Sequence, residues 1–245
     1  MLTFRLFGIP VTVRPSFLIV AALLGFSYGE VTLVIAWVAI VAFSILIHEL
    51  GHAFTARSFG STVEIELNTL GGLTSWSIPD KEFGPGRRAA VAAAGSAVGV
   101  VFGALVWVVA YFTGPFDDLA YFVVRSLIWV NLFWGLLNWL PIRPLDGGHL
   151  FVSLLEKVAP RHAVRIANVV FLLTALGALV AALYLRLTFV ALLSGFLLFG
   201  ELTRGRVRPP PVPIPPMSFD RQDQVAEPET STVQEPEPEP KEADS

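Results

Sequence analysis

His48-Glu49-Leu50-Gly51-His52 is a run of residues whose types and spacing suit hydrolytic metal chemistry. On a helix, positions i and i+4 share a face, so two imidazoles one turn apart can grip a single zinc ion. Glu49 sits beside them and can reach a metal-bound water, the arrangement a metalloprotease needs. The plain alternative makes His48 and His52 hydrogen-bond partners of neighbouring helices and pairs Glu49 with a basic side chain. Three ionisable groups this close together in an apolar stretch are costly to hold in a membrane, which favours a functional reading.

A catalytic zinc usually has three protein ligands and an open position, so a third ligand is required. The sequence has no Cys, which restricts any ligand set to nitrogen and oxygen. Asp146 is the leading candidate: it is the only acid between Asp118 and Glu156, and Gly147-Gly148 beside it permit close backbone approach. His149 is an alternative ligand, whereas His162 opens a later apolar run and reads as interfacial. Asn138 and Asn131 lie seven residues apart on one helical face. Asn131 reads as interhelical glue; Asn138 reads either the same way or as a hydrogen-bond donor to substrate backbone or a developing oxyanion.

The elements that must position these groups are apolar. Hydrophobic residues make up 54% of the 245-residue chain and charged ones only 15%, a composition suited to a membrane and not to an ordinary soluble domain. Apolar windows near the ~20 residues needed to cross a bilayer fall at about 16–29, 31–58, 88–113, 119–141, 162–185 and 187–203. Six crossings is the simplest expectation. Arg5 and Arg14 precede the first window; Arg57, Lys81, Arg87 and Arg88 separate the second from the third; Arg143, Lys157, Arg161 and Arg165 separate the fourth from the fifth. Arg204, Arg206 and Arg208 follow the sixth. The opposite loops hold Glu30, then Asp117 and Asp118, then Arg186, so the excess of positive charge puts both termini in the cytoplasm. The start reads as a retained signal anchor.

The fold class expected is thus an all-α polytopic membrane protein with a short β-hairpin between spans two and three. Alternation in Val63-Glu64-Ile65-Glu66-Leu67, a Gly71-Gly72 turn and a second run from Leu73 to Ile78 supply that hairpin. Residues 204–245 read as a disordered cytoplasmic tail, Pro-rich and then acidic, after a membrane-embedded domain at 1–203. From Ser218 onward the tail holds nine acids against Arg221 and Lys241, leaving residues 1–217 at net +4. That mild basicity suits anionic lipid, and no basic stripe with interleaved aromatics points to nucleic acid.

These residues together resemble the site-two proteases, intramembrane zinc metalloproteases, in a compact bacterial or archaeal branch without a PDZ insertion or nucleotide-binding pair. His48 to His52 looks like the family's zinc helix. Asn138-Trp139-Leu140-Pro141-Ile142-Arg143-Pro144-Leu145-Asp146-Gly147-Gly148 looks like its second signature, which implies Asp146 as third zinc ligand and Asn138 beside the catalytic centre. Gly8-Ile9-Pro10-Val11, Pro15-Ser16-Phe17 and Leu70-Gly71-Gly72 are similar to weaker family features. Members often carry Gly-Pro and then Asn near the start of span three, where this chain has Gly95-Ser96-Ala97-Val98-Gly99.

The resemblance implies one zinc per chain and cleavage of single-span membrane proteins such as anti-sigma factors, transcription-factor precursors or signal-peptide remnants. A substrate helix must unwind to expose its carbonyls, which favours Gly, Pro or Asn in the span. The edge of the Val63–Leu67 strand is expected to receive the unwound segment. The competing readings are a membrane metal-ion transporter or sensor, since intramembrane His and Asp also mark ion pathways, and a catalytically dead scaffold.

Overall fold

The computed structural model describes residues 1–69, 71–77 and 83–203; the expected tail lies outside the described residues. Two strands open the chain, β1 (Leu2–Leu6) and β2 (Ile9–Val13), followed by helix α1 (Pro15–Gly25) and a single 3₁₀ turn, Phe26–Tyr28. Helix α2 (Val31–Ser58) leads to strands β3 (Thr62–Asn68) and β4 (Gly71–Ser77). Helix α3 spans Pro85–Thr113, and α4 (Asp118–Ile128) continues through a π-helical turn, Trp129–Trp134, into the short α5 (Gly135–Leu137). Helices α6 (Asp146–Val158), α7 (Ala163–Tyr184) and α8 (Thr188–Thr203) complete the described order.

Four of these segments are long and apolar enough to cross a membrane: α2, α3, Asp118–Leu137 and α7. The apolar stretches Pro15–Tyr28 and Val190–Thr203 are shorter. At ~1.5 Å per residue, the 28 residues of α2 extend about 42 Å, more than the ~30 Å hydrocarbon layer. His48 therefore lies roughly 26 Å along the axis from Val31, toward the end that continues into the sheet.

The chain is mostly helical and not all-α, because four strands form one sheet of order β1-β2-β3-β4. Residues Leu2 to Val13 alternate in part between apolar and polar, and Phe7-Gly8 turns the chain with both residues at positive φ, so β1 and β2 pair antiparallel. This hairpin precedes the first apolar window, which the structure forms as the apolar helix Pro15–Tyr28. β2 then pairs parallel with β3, Val11 opposite Ile65, and β3 pairs antiparallel with β4, Ile65 opposite Thr74. The Val63–Leu67 strand is consequently interior to the sheet. The expectation that its edge receives a substrate is corrected: both edges of β3 are occupied, and the open edges belong to β1 and β4.

One face of the sheet buries Ile9, Val11, Ile65 and Leu67 against Phe17 of α1 and Ala53 of α2, which fixes the sheet to the His52 end of α2. Arg57 donates to the Phe7 carbonyl at 2.7 Å, and the Phe7 ring meets Phe54, so the first hairpin is also tied to that helix. Arg14 makes two hydrogen bonds to Glu66, at 2.7 and 2.8 Å, bridging the end of β2 to β3. The hydrogen bond from Arg14 holds the Glu66 carboxyl below its usual pKa.

Small residues set the helix spacing. A Cβ on Gly51 would lie 2.7 Å from the Ala94 carbonyl oxygen and 3.0 Å from Gly95 Cα, so α2 and α3 cross there almost backbone to backbone. Asn131, buried in the π-helical turn, donates to Ser44 Oγ on α2 at 2.9 Å and to the Leu127 carbonyl at 2.8 Å. It serves as the interhelical glue expected of it. Arg88 of α3 pairs with Glu156 of α6. Arg143 packs over the Phe171 ring and hydrogen-bonds Asn168, joining the segment before α6 to α7.

Candidate metal centre

His48 and His52 project from one face of α2, and Asp146 comes to them from the first turn of α6, about a hundred residues later in the chain. Asp146 Oδ2 lies 3.1 Å from His48 Nε2 and 3.3 Å from His52 Nε2. The two imidazole Nε2 atoms are 3.1 Å apart. Tetrahedral ligands bound at ~2.0–2.1 Å to one zinc stand roughly 3.3–3.4 Å from one another, so this triangle has close to the dimensions of three zinc ligands. The donor types suit zinc as well: two imidazole nitrogens and a carboxylate oxygen, with the three candidate atoms within 4.8 Å of one another.

Two of the three candidate ligands, His52 and Asp146, are held by groups behind them. His52 Nδ1 stands 2.7 Å from the Val91 carbonyl of α3, which places the proton on Nδ1 and leaves the Nε2 lone pair facing the site. Gly95 is needed for that approach, since a Cβ there would overlap the His52 imidazole. Ser96 Oγ donates to Asp146 Oδ2 at 3.0 Å. Asp146 sits where it does because α6 begins tightly against the segment before it: Gly147 N–H donates to the Asn138 carbonyl at 2.6 Å. A Cβ on Gly147 would overlap the Trp139 and Leu140 carbonyl oxygens, and one on Gly148 would lie 2.8 Å from the Ile142 carbonyl oxygen.

Glu49 is 5% exposed and makes no ion pair among the described residues. The basic partner proposed by the plain alternative is not there. Its support is neutral instead: Thr74 Oγ1 of β4 donates to Glu49 Oε2 at 2.6 Å, and a Cβ on Gly72 would overlap the Glu49 side chain. A buried carboxylate next to a cluster of metal-type donors, without a cation of its own, is placed to accept a proton.

His149 does not join the cluster; it is held below its usual pKa by burial. His162 is exposed at the start of α7. The half-buried Asn138 meets the site through its main-chain carbonyl, and its side-chain amide makes no hydrogen bond among the described residues. Ser96, Thr74 and the Val91 carbonyl are the supporting groups that motif spacing did not reveal. The one signal for Ser96 was that Gly95-Ser96 stands where the resembled family often has Gly-Pro.

The sequence profile of peptidase family M50 matches residues 36–121 and 116–181, more than half of the chain. The chain belongs to peptidase family M50. The first matched stretch contains His48, Glu49 and His52 and the second contains Asp146, so both halves of the M50 match carry part of the centre. A zinc metalloprotease of Methanocaldococcus jannaschii is 28% identical over 63% of this chain and 45% of its own length. A Synechocystis protein named as a candidate zinc metalloprotease is 32% identical over 62% of this chain and 43% of its own length. The chain thus spans less than half the length of these two relatives. The solved site-2 protease of M. jannaschii matches with a TM-score of 0.60 and 24% identity, covering 86% of this chain and 97% of that one, a likeness of fold. With four helices among the described residues long and apolar enough to cross a membrane, this M50 member is a membrane protein.

Proposed function

We propose that this M50 member is an intramembrane zinc endopeptidase that hydrolyses peptide bonds within or near the membrane-spanning segments of single-span proteins. The observation that carries the reading is the convergence of His48 Nε2, His52 Nε2 and Asp146 Oδ2 beside the buried Glu49 carboxylate, with both histidines and Glu49 on the apolar helix α2. His48, His52 and Asp146 would hold the ion. Zinc bound there would supply Lewis acidity to the scissile carbonyl and would acidify the attacking water. Glu49 takes the proton of the attacking water on a carboxylate oxygen and passes it to the leaving amide nitrogen. The amide of Asn138, which makes no hydrogen bond among the described residues, donates to substrate backbone or to the developing oxyanion. The domain at 1–203 crosses the membrane six times with both termini cytoplasmic; the two shorter apolar helices and the distribution of Arg and Lys favour this count.

Substrate enters as an added strand on β4, the open edge nearest Glu49. What supports β4 is its double contact with the base, through Thr74 and Gly72. The experiment is reconstitution with a single-span substrate and zinc: fragments cut inside the span are expected, and cuts confined to extramembrane loops would reject the reading. In the same assay a proline scan of Leu73, Ser75 and Trp76 should slow cleavage wherever the lost N–H faces the open edge, with zinc content unchanged. Wild-type rates at all three positions would remove β4 as the docking strand.

A further inference from the structure

Helix α3 contributes three contacts to the centre within little more than one turn, the Val91 carbonyl, the space at Gly95 and the Ser96 hydroxyl, and none of the three is a metal donor in the cluster. The last of them is the least expected from sequence. Ser96 is 0% exposed, so its hydroxyl is shut off from bulk solvent. A serine inside a helix commonly turns its proton to the carbonyl one turn back. Here the proton goes across the helix interface to Asp146 Oδ2, the same oxygen that faces both imidazoles.

We propose that Ser96 is a positioning residue of the metal centre, holding the Asp146 carboxylate so that one lone pair of Oδ2 is directed at the space between His48 and His52. The inference rests on the zinc reading given above. A carboxylate oxygen accepts along two lone-pair directions. With one taken by Ser96, the carboxylate can no longer turn about its Cβ–Cγ bond without losing a buried hydrogen bond, and the other direction stays aimed at the metal. Asp146 needs this restraint more than the histidines do. His52 is anchored by its second ring nitrogen, whereas Asp146 stands at the very start of α6 with no side-chain cap preceding it. The hydroxyl at position 96 therefore does for the carboxylate what the Val91 carbonyl does for His52.

The test is a zinc titration of the purified full chain against a competing chromophoric chelator, for wild type, Ser96→Ala, Asp146→Ala and the double variant. Ser96→Ala is expected to weaken zinc by roughly 10- to 100-fold, the range seen on losing an outer partner of a metal ligand. In the Asp146→Ala background the same change should add less than about twofold, because its effect runs through the carboxylate. Equal affinity of Ser96→Ala and wild type overturns the proposal, as does an undiminished loss in the Asp146→Ala background, which marks a general packing defect. At saturating Co²⁺, where occupancy no longer differs, Ser96→Ala should shift the visible d–d bands; superimposable spectra also overturn it. A wild-type chain that binds no zinc in the same titration refutes the zinc reading itself, an outcome distinct from wild type and Ser96→Ala binding equally well.

Discussion

Glu49→Gln should bind zinc as the wild-type chain does and lose about 10²- to 10⁴-fold in turnover, the usual contribution of a positioned general base. The amide fits the volume of the carboxyl, so the β4 packing around Gly72 is retained. Its oxygen can still accept from Thr74, which donates to Oε2 at 2.6 Å in the native chain. What the substitution removes is a site for the proton of the attacking water. Since the candidate ligand atoms belong to His48, His52 and Asp146, metal content is expected not to fall. Cleavage of a reconstituted single-span substrate, measured beside zinc content in the same preparation, checks both halves. Undiminished turnover in Glu49→Gln would dismiss the residue as base.

Asp146→Asn and His52→Ala should each weaken zinc by more than the roughly 10- to 100-fold expected of a supporting partner, since each removes a ligand and not its prop. Asp146→Asn is the more informative. It keeps the shape of the side chain, and its amide can still meet the Ser96 hydroxyl, so the loss isolates the carboxylate charge and its donor oxygen. In His52→Ala the Val91 carbonyl also loses its partner, so a modest loss of stability accompanies the loss of metal. Elemental analysis after dialysis against a weak chelator is the measurement. Normal zinc in Asp146→Asn would transfer the third ligand to His149, against the geometry that leaves His149 outside the cluster.

The parts of the centre legible in sequence were those with a period or a unique charge. His48 and His52 announce themselves because helical spacing puts them on one face, and Asp146 because acids are scarce in an apolar chain. The glycines after Asp146 were read for close approach, and Gly147 does press against the Trp139 and Leu140 carbonyls. The supporting hydroxyls carried no such mark: a single Thr on a strand or Ser in a helix has no spacing to read, and their partners lie 25 and 50 residues away. The sheet was half legible. Alternation gave the strand at Val63–Leu67, but nothing local shows that Val11 pairs with Ile65, and that long-range parallel pairing closes the edge expected to be open. Residues 2–13 carry no element expected from the sequence, because their pairing partner, β3, lies about fifty residues further along the chain.

The central claim is that one divalent ion sits between α2 and α6. Anomalous diffraction at the zinc edge, on crystals of the zinc-loaded full chain, addresses it most directly. The expected result is a single peak within about 2.0–2.2 Å of His48 Nε2, His52 Nε2 and an Asp146 carboxylate oxygen. A peak on His149 without Asp146, or no peak in this cluster while zinc binds elsewhere, would contradict the account.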